Sequence, residues 1–381
     1  MRLTGARVAT GPRTTARRDV TIRNGRICFD APAETDFDLR GLLLLPGLIN
    51  AHDHLEFNLF PKLGSHLYTN AGQWAADIYR PSRSPVREHL AVPKQVRLYW
   101  GGLRNLLSGV TTVAHHNPFE QDVFNARFPV RVLRRFAWAH SFDFSPDLPA
   151  RFRAAPACFP FIVHAAEGTD AKAASEIARL HELGVLAPHT VLVHALAAGT
   201  REISLLREHR CSIVWCPGSN LSVYGRTLSQ DVLDSGIPIA LGTDSALTSP
   251  GDLADELRTA HSLGIDCERL YRMVTTDAAS VLRLTEGEGE IREGSVADLI
   301  AVEDHGQTPA EALLDLRPLM AIVEGRIRLL AGNLASHASL NRIDVEGRGA
   351  FCVDVDVAAL WRETSAALGP SFALAGRRVA A

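Results

Sequence analysis

The sequence predicts an α/β fold, a distorted (β/α)8 barrel of the TIM type joined to a small β-sandwich domain built from both chain ends. Two observations predict it. From about residue 42 to residue 284 short apolar runs alternate with helical stretches, the pattern of βα units laid on a parallel sheet. Nearly all of those runs end on a polar or ionisable residue, and in such barrels the C-terminal strand ends converge on one face where sites form.

The chain opens with β structure: residues 19–29 (DVTIRNGRICF) alternate polar and apolar around Asn24-Gly25, the pair suited to a two-residue type I′ turn. The first barrel strand is read over residues 42–51, followed by His52 and His54. Later strands are expected at 110–114 (before His115), 130–138 (before His140), 159–164 (ending on His164), 191–194 (ending on His194), 212–216 (before Asn220) and 238–241 (before Asp244). That makes seven, one short of eight. Helices are expected at 170–183 and 200–208. Fewer than 20 residues separate His140 from the strand near Phe159, and 145–156 carries three prolines, so one βα unit is expected to be reduced there. Strand patterns return at 294–302 and 320–330, with Gly325 placed for a tight turn. Residues 1–45 and 290–345 therefore read as one small terminal β domain, 46–289 as the barrel, and 346–381 as a helical extension packed on either.

Hydrophobic residues make up 46% of the 381 and charged residues 22%, the balance of a globular protein rather than a disordered one. Lys plus Arg number 40 against 43 Asp plus Glu, which leaves no electrostatic footprint for nucleic acid or an anionic membrane surface. No apolar run reaches the roughly 18 residues of a membrane span, and no signal-peptide core opens the chain, so a cytoplasmic protein is expected. The six cysteines contain no C-x-x-C pair and read as buried thiols.

His52 and His54 flank one residue at a strand end, and the period of two puts both imidazoles on one face. Two neutral imidazoles so placed suit zinc or another divalent transition metal. The pair belongs to PGLINAHDHL (46–55), and SGVTTV (108–113), FIVHAAE (161–167), VLVHA (191–195), IVWCPGSN (213–220), IALGTDS (239–245) and GSVADLIAV (294–302) follow in order. With these seven motifs the sequence resembles the amidohydrolase superfamily, in its branch of cytosine deaminase, guanine deaminase and the triazine hydrolases. The resemblance implies one metal per chain, zinc with Fe²⁺ or Mn²⁺ as substitutes, held by His52, His54, His164 and Asp244. It also implies Asp244 as general base, Glu167 as proton shuttle and His194 as a second polar hand on substrate or attacking water. A lysine-bridged metal pair is not expected, because the only lysines, Lys62, Lys94 and Lys172, stand away from the strand ends.

The expected reaction is deamination of an amino-substituted heterocycle or amidine by water activated on the metal. Alternatives are hydrolysis of another C–N bond (cyclic amide, urea, imidazolone) or of a ring C–Cl bond, and, more remotely, an inactive ligand-binding scaffold. The partner is a small molecule, and a homodimer is the expected assembly. Substrate contacts are expected from His66, Tyr68 and Trp74 in the long segment after the first strand (55–92), although Trp74 also suits a loop packed on itself. His115 and His140 are the other candidates. Since adjacent strand residues face opposite ways, only one of His115 and His116 can point inward. His181, His189, His209, His261, His305 and His337 read as solvated or capping residues.

Overall fold

The computed structural model describes residues 1–29, 31–332, 334 and 340–380. Eight short parallel strands form its centre: β1 (Leu48–Asp53), β2 (Val110–His115), β3 (Arg131–Val132), β4 (Ala137–Ala139), β5 (Phe161–Ala165), β6 (Thr190–His194), β7 (Ser212–Trp215) and β8 (Ile239–Leu241). The helices between and after them are α1 (Ala71–Ile78), α2 (Val86–Ala91), α3 (Lys94–Leu107), α4 (Leu148–Ala154), α5 (Ala171–Glu182), α6 (Thr200–Glu208), α7 (Pro217–Tyr224), α8 (Gln230–Leu233), α9 (Leu253–Ser262), α10 (Cys267–Met273) and α11 (Thr276–Val281). The strands pair as two arcs, β3–β2–β1 and β4–β5–β6–β7–β8, every neighbour parallel. One parallel bridge, Asp53 to Asp244, links the two arcs on the β8–β1 side. Among the described residues no ladder joins β3 to β4, so the ring of strands is not closed by hydrogen bonds.

Two strands expected from the sequence prove to be two each. The run 42–51 breaks at Gly47: Leu42–Pro46 pairs antiparallel with Leu299–Glu303 in the terminal sheet, whereas β1 enters the barrel. A Cβ at Gly47 would stand 2.2 Å from Thr111 Oγ1, so the crossing needs glycine. The run 130–138 breaks because its backbone changes partner: Leu133 N–H donates to Val113 on β2 and Ala137 N–H to Pro160 before β5. The count is therefore eight, with β3 only two residues long. The interval between β4 and β5 is reduced as expected, holding only the seven-residue α4, and helices are lacking altogether after β2 and after β3, where 116–130 and 133–136 hold only turns and bends. Phe119, Phe124 and Phe128 anchor the first of these segments, with ring centroids 5.2 and 5.0 Å apart in succession, and Phe128 packs on Tyr99 of α3. The interval after β1 is likewise less of a loop than expected, since α1 and α2 lie within it.

The chain ends do not make one small sheet. A ten-stranded mixed sheet runs 373–374, 377–380, 341–345, 349–353, 326–331, 320–323, 299–303, 42–46, 7–9, 15–17, beside a four-stranded sheet of 26–28, 20–23, 2–4 and 36–38. Leu3, Ile22, Ile27, Leu39, Leu44, Leu299 and Ile322 form their common core. The turn at Asn24-Gly25 has both residues at positive φ (49° and 74°), as a type I′ turn requires, and Glu324-Gly325 repeats it. Residues 346–380 hold the helix Val357–Leu368 but also three strands, so the extension is as much strand as helix. Its helix docks on α3, where the Trp100 indole N–H donates to Thr364 Oγ1 at 2.8 Å. All six cysteines are free, and no helix of the described residues is long and apolar enough to cross a membrane.

Candidate metal centre

At the C-terminal ends of the strands, β1 puts His52 and His54 toward the axis and Asp53 behind them. The Asp53 carboxylate is fully buried and accepts from Asn58 Nδ2 (2.9 Å), Asn105 Nδ2 (2.8 Å) and Thr243 Oγ1 (3.2 Å), which pins the strand end on which both imidazoles ride. β5 brings His164 opposite. Its Nδ1–H donates to the His140 carbonyl at 2.9 Å, so its Nε2 carries a lone pair aimed at His52 Nε2, 3.2 Å away. Asp244 Oδ1 lies 3.7 Å from His52 Nε2 and 3.6 Å from His54 Nε2.

These spacings fit a metal better than they fit one another. Nitrogens bound 2.0–2.1 Å from a tetrahedral zinc stand about 3.3 Å apart, close to the His52–His164 separation. Burial lowers the pKa of His52, His54 and His164, most strongly for the latter two, and so keeps all three neutral, the form that ligates. Burial works to raise the Asp244 carboxyl, but the imidazoles of His52, His54 and His194 outweigh it and hold the group ionised far below the usual carboxylate range. Ser219 Oγ (2.7 Å) and Thr248 Oγ1 (2.9 Å) both donate to Oδ2, leaving Oδ1 turned toward the histidines. The donor set of three imidazoles and one carboxylate is one that holds zinc.

The sequence set meets here unevenly. His52, His54, His164, Glu167, His194 and Asp244 come together, with His140 beside them, its ring 4.7 Å from that of His164. Of the adjacent pair, His116 rather than His115 faces the cluster: it stacks on His164 (4.4 Å, 5°) and offers a nitrogen within 4.8 Å of those of His52, His54 and His164. His115 points the other way, onto Phe124, with Nε2 3.6 Å from Glu56. Tyr68 is buried among Leu196, Val223 and Tyr224 and donates to Asp77 at 2.6 Å, whereas His66 is exposed against its ring. Trp74 packs on the same group and donates to the Leu63 carbonyl. Lys94 pairs with Glu120, and Lys172, at the mouth of the site, pairs with Asp143. His181 and His209 face each other across two helices, and His337 lies outside the described residues.

Glu167 follows β5 by two residues. Tyr224 Oη donates to its Oε1 at 2.7 Å, His194 Nε2 lies 3.5 Å from the same oxygen, and burial raises the carboxyl above its ordinary range. His194 Nδ1–H donates to Asn220 Oδ1 at 2.8 Å, which turns Nε2 toward Glu167. The sequence reading left out Tyr224, for which no motif signals, and the hydroxyls of Ser219 and Thr248; Ser219 lies inside IVWCPGSN. The segment after β1 closes over Glu167, with Ala71 N–H donating to the Glu167 carbonyl and Thr169 N–H to that of Thr69. The remaining mouth is lined by Asn70, His140, Asp143, Phe144, Lys172 and Glu176, and Phe144, 55% exposed, sets its ring edge-on to His140 at 4.9 Å.

A further buried carboxyl group, Glu256 of α9, accepts from Gly218 N–H at 2.8 Å, and burial pushes its pKa up to about 8. Because the folded value lies above the unfolded one, the stability it confers is complete at low pH and is lost as pH rises toward and through about 8. Each pH unit in that interval costs the fold at most about 1.4 kcal/mol. Glu256→Gln keeps the acceptor without the charge. Thermal denaturation of the metal-loaded protein should therefore show the variant matching the parent near pH 5 and exceeding it at pH 9; a variant less stable than the parent at pH 9 would contradict this.

Residues 159–328 match the amidohydrolase family. Among curated proteins the chain is 26% identical over 356 residues to a 5-methylthioadenosine/S-adenosylhomocysteine deaminase of Syntrophobacter fumaroxidans, covering 74% of this chain and 79% of that one. It is 24% identical over 387 residues to the like-named protein of Thermococcus sibiricus, covering 83% and 87%. Among solved structures, an adenosine deaminase from Xanthomonas campestris with bound zinc superposes with a TM-score of 0.75 at 20% identity, over 96% of this chain and 97% of that one. A variant of the atrazine chlorohydrolase from Arthrobacter aurescens, complexed with zinc and atraton, gives 0.73 at 19%, over 96% and 99%. At these identities the two structures speak for the fold alone.

Proposed function

From the amidohydrolase family domain that this chain carries, we propose that it is a metal-dependent hydrolytic deaminase of amino-substituted heterocycles, with one divalent ion per chain held by His52, His54, His164 and Asp244. The observation that carries the reading is the buried cluster of His52, His54, His164 and His116, with the Asp244 carboxylate beside His52 and His54 and with Glu167 and His194 alongside. The deaminase relatives named above favour an aminopurine nucleoside as the substrate class. Water adds to the carbon bearing the amino group, the C–N bond breaks, and the products are the ring carbonyl compound and ammonia.

When bound, the metal lowers the pKa of water toward neutrality. Asp244, ionised and fixed by Ser219 and Thr248, accepts the proton of the attacking water. Glu167, whose carboxyl burial raises above its ordinary range, gives its proton to a ring nitrogen, receives the water proton held on Asp244 and passes it to the leaving amine, and is restored by the adduct's hydroxyl proton as the carbonyl forms. His194, oriented by Asn220, offers Nε2 as the acceptor that positions the attacking water beside Glu167. His140 and Phe144 present the aromatic rim against which a flat ring stacks. In this reading residues 46–289 form the catalytic unit and the assembly is a homodimer.

The test is elemental analysis together with ammonia release from a panel of purine nucleosides, free purines, pyrimidines, pterins and amidines. The expected result is close to one zinc per chain and ammonia from an aminopurine nucleoside. Two metals per chain, both required, or a loaded protein that releases ammonia from no member of the panel, would refute the proposal.

A further inference from the structure

Between the ligand His164 and Glu167 the chain makes a turn that needs support. Ala166 adopts φ +53°, a left-handed conformation unfavourable for a residue with a Cβ. Its peptide groups are held on both sides. The Ala166 carbonyl accepts from Ala197 N–H at 2.9 Å, in the turn after β6, and its N–H donates to Glu176 Oε2 at 2.7 Å. Glu176 comes from α5 and is 9% exposed, and this is its one hydrogen bond among the described residues. Lys172, one turn earlier on the same helix, pairs instead with Asp143. A buried carboxylate given to a single backbone amide is poor economy for stability, since an apolar residue there would avoid the cost of desolvating it.

We propose that Glu176 is a positioning residue for Glu167: it fixes the left-handed peptide at Ala166 so that the next carboxyl stays in reach of Tyr224 and His194. The inference rests on the reading of Glu167 as the proton carrier. The same device recurs across the site, where Glu256 holds Gly218 N–H just before Ser219 and Asn220, the residues that fix Asp244 and His194. Two helices, α5 and α9, thus each send one buried carboxylate to a backbone amide at a strand end.

The test compares Glu176→Leu and Glu176→Gln, with Glu167→Gln as control, by zinc content, by kcat and KM for ammonia release, and by hydrogen–deuterium exchange of the peptide spanning 161–170. The leucine variant should keep its zinc and its KM, lose about 10- to 100-fold in kcat, the scale of a small misplacement of a reacting group, and exchange faster at Ala166. Glutamine, whose amide oxygen accepts the same bond, should restore both kcat and protection. Parental kcat in Glu176→Leu, or a glutamine variant as impaired as the leucine one, overturns the proposal. If Glu176→Leu does not fold, Glu176→Ser, too short to reach Ala166, replaces it. If the parent itself releases no ammonia, the reading of Glu167 fails separately, and exchange alone decides the clamp: faster in leucine but not in glutamine upholds it, equal in both rejects it.

Discussion

Replacing Glu167 by Gln should leave the protein folded and loaded with metal while removing most of the rate. The amide is isosteric with the acid and still accepts from Tyr224 Oη, so neither the 2.7 Å contact nor the packing around it is lost. What disappears is the transferable proton, a contribution typically of about 10² to 10⁴ in rate. Steady-state kinetics should register the whole loss in kcat, and elemental analysis should return the parental zinc content. A Glu167→Gln enzyme as active as the parent across the pH range would remove Glu167 from the mechanism.

Asp244→Asn should cost more, because two functions sit on one side chain. Its Oδ1 faces His52 and His54 at 3.7 and 3.6 Å, the place proposed for a ligand, and in the proposed reaction the same carboxylate takes the proton of the attacking water. Asparagine keeps an acceptor for Ser219 and Thr248 but carries no charge to bind a cation or remove a proton. Activity should fall by about 10³-fold or more, the scale of a lost general base with weaker metal binding added to it. Zinc content after dialysis should drop well below that of Glu167→Gln. Melting temperature should also lose its dependence on added zinc, since a ligand stabilises only the form that binds it. An Asp244→Asn protein that holds zinc as tightly as the parent would dismiss the carboxylate as a ligand.

Much of this site was legible because barrel geometry turns scattered sequence positions into neighbours. His52, His54, His164, His194 and Asp244 could be assembled on paper, since each lies at or just past an apolar run and strand ends converge. Alternation resolved less. It required one of His115 and His116 to face outward, but which one depends on the pleat phase, and both residues are buried, so polarity gave no hint. The break at 133–136 was hidden for a related reason: β3 and β4 are so short that their combined apolar run reads as one ordinary strand, and the change of hydrogen-bond partner has no signature in composition. Tyr224 and Glu176 reach the site from helices, where a lone polar residue on an apolar face looks like any other solvated position.

The two arcs of strands bear on what the metal does beyond chemistry. His52 and His54 ride on the arc of β1 to β3, together with His116 just after β2, whereas His164 and Asp244 belong to the arc of β4 to β8. On one side the backbone joins those arcs by hydrogen bonds among His52, His54, Thr243 and Asp244; on the other, among the described residues, no ladder joins them. An ion held as proposed, by two residues from each arc, would be a cross-link over the gap that the hydrogen bonds leave, added to the apolar core that both arcs already share, so loading it should raise the cooperativity of unfolding.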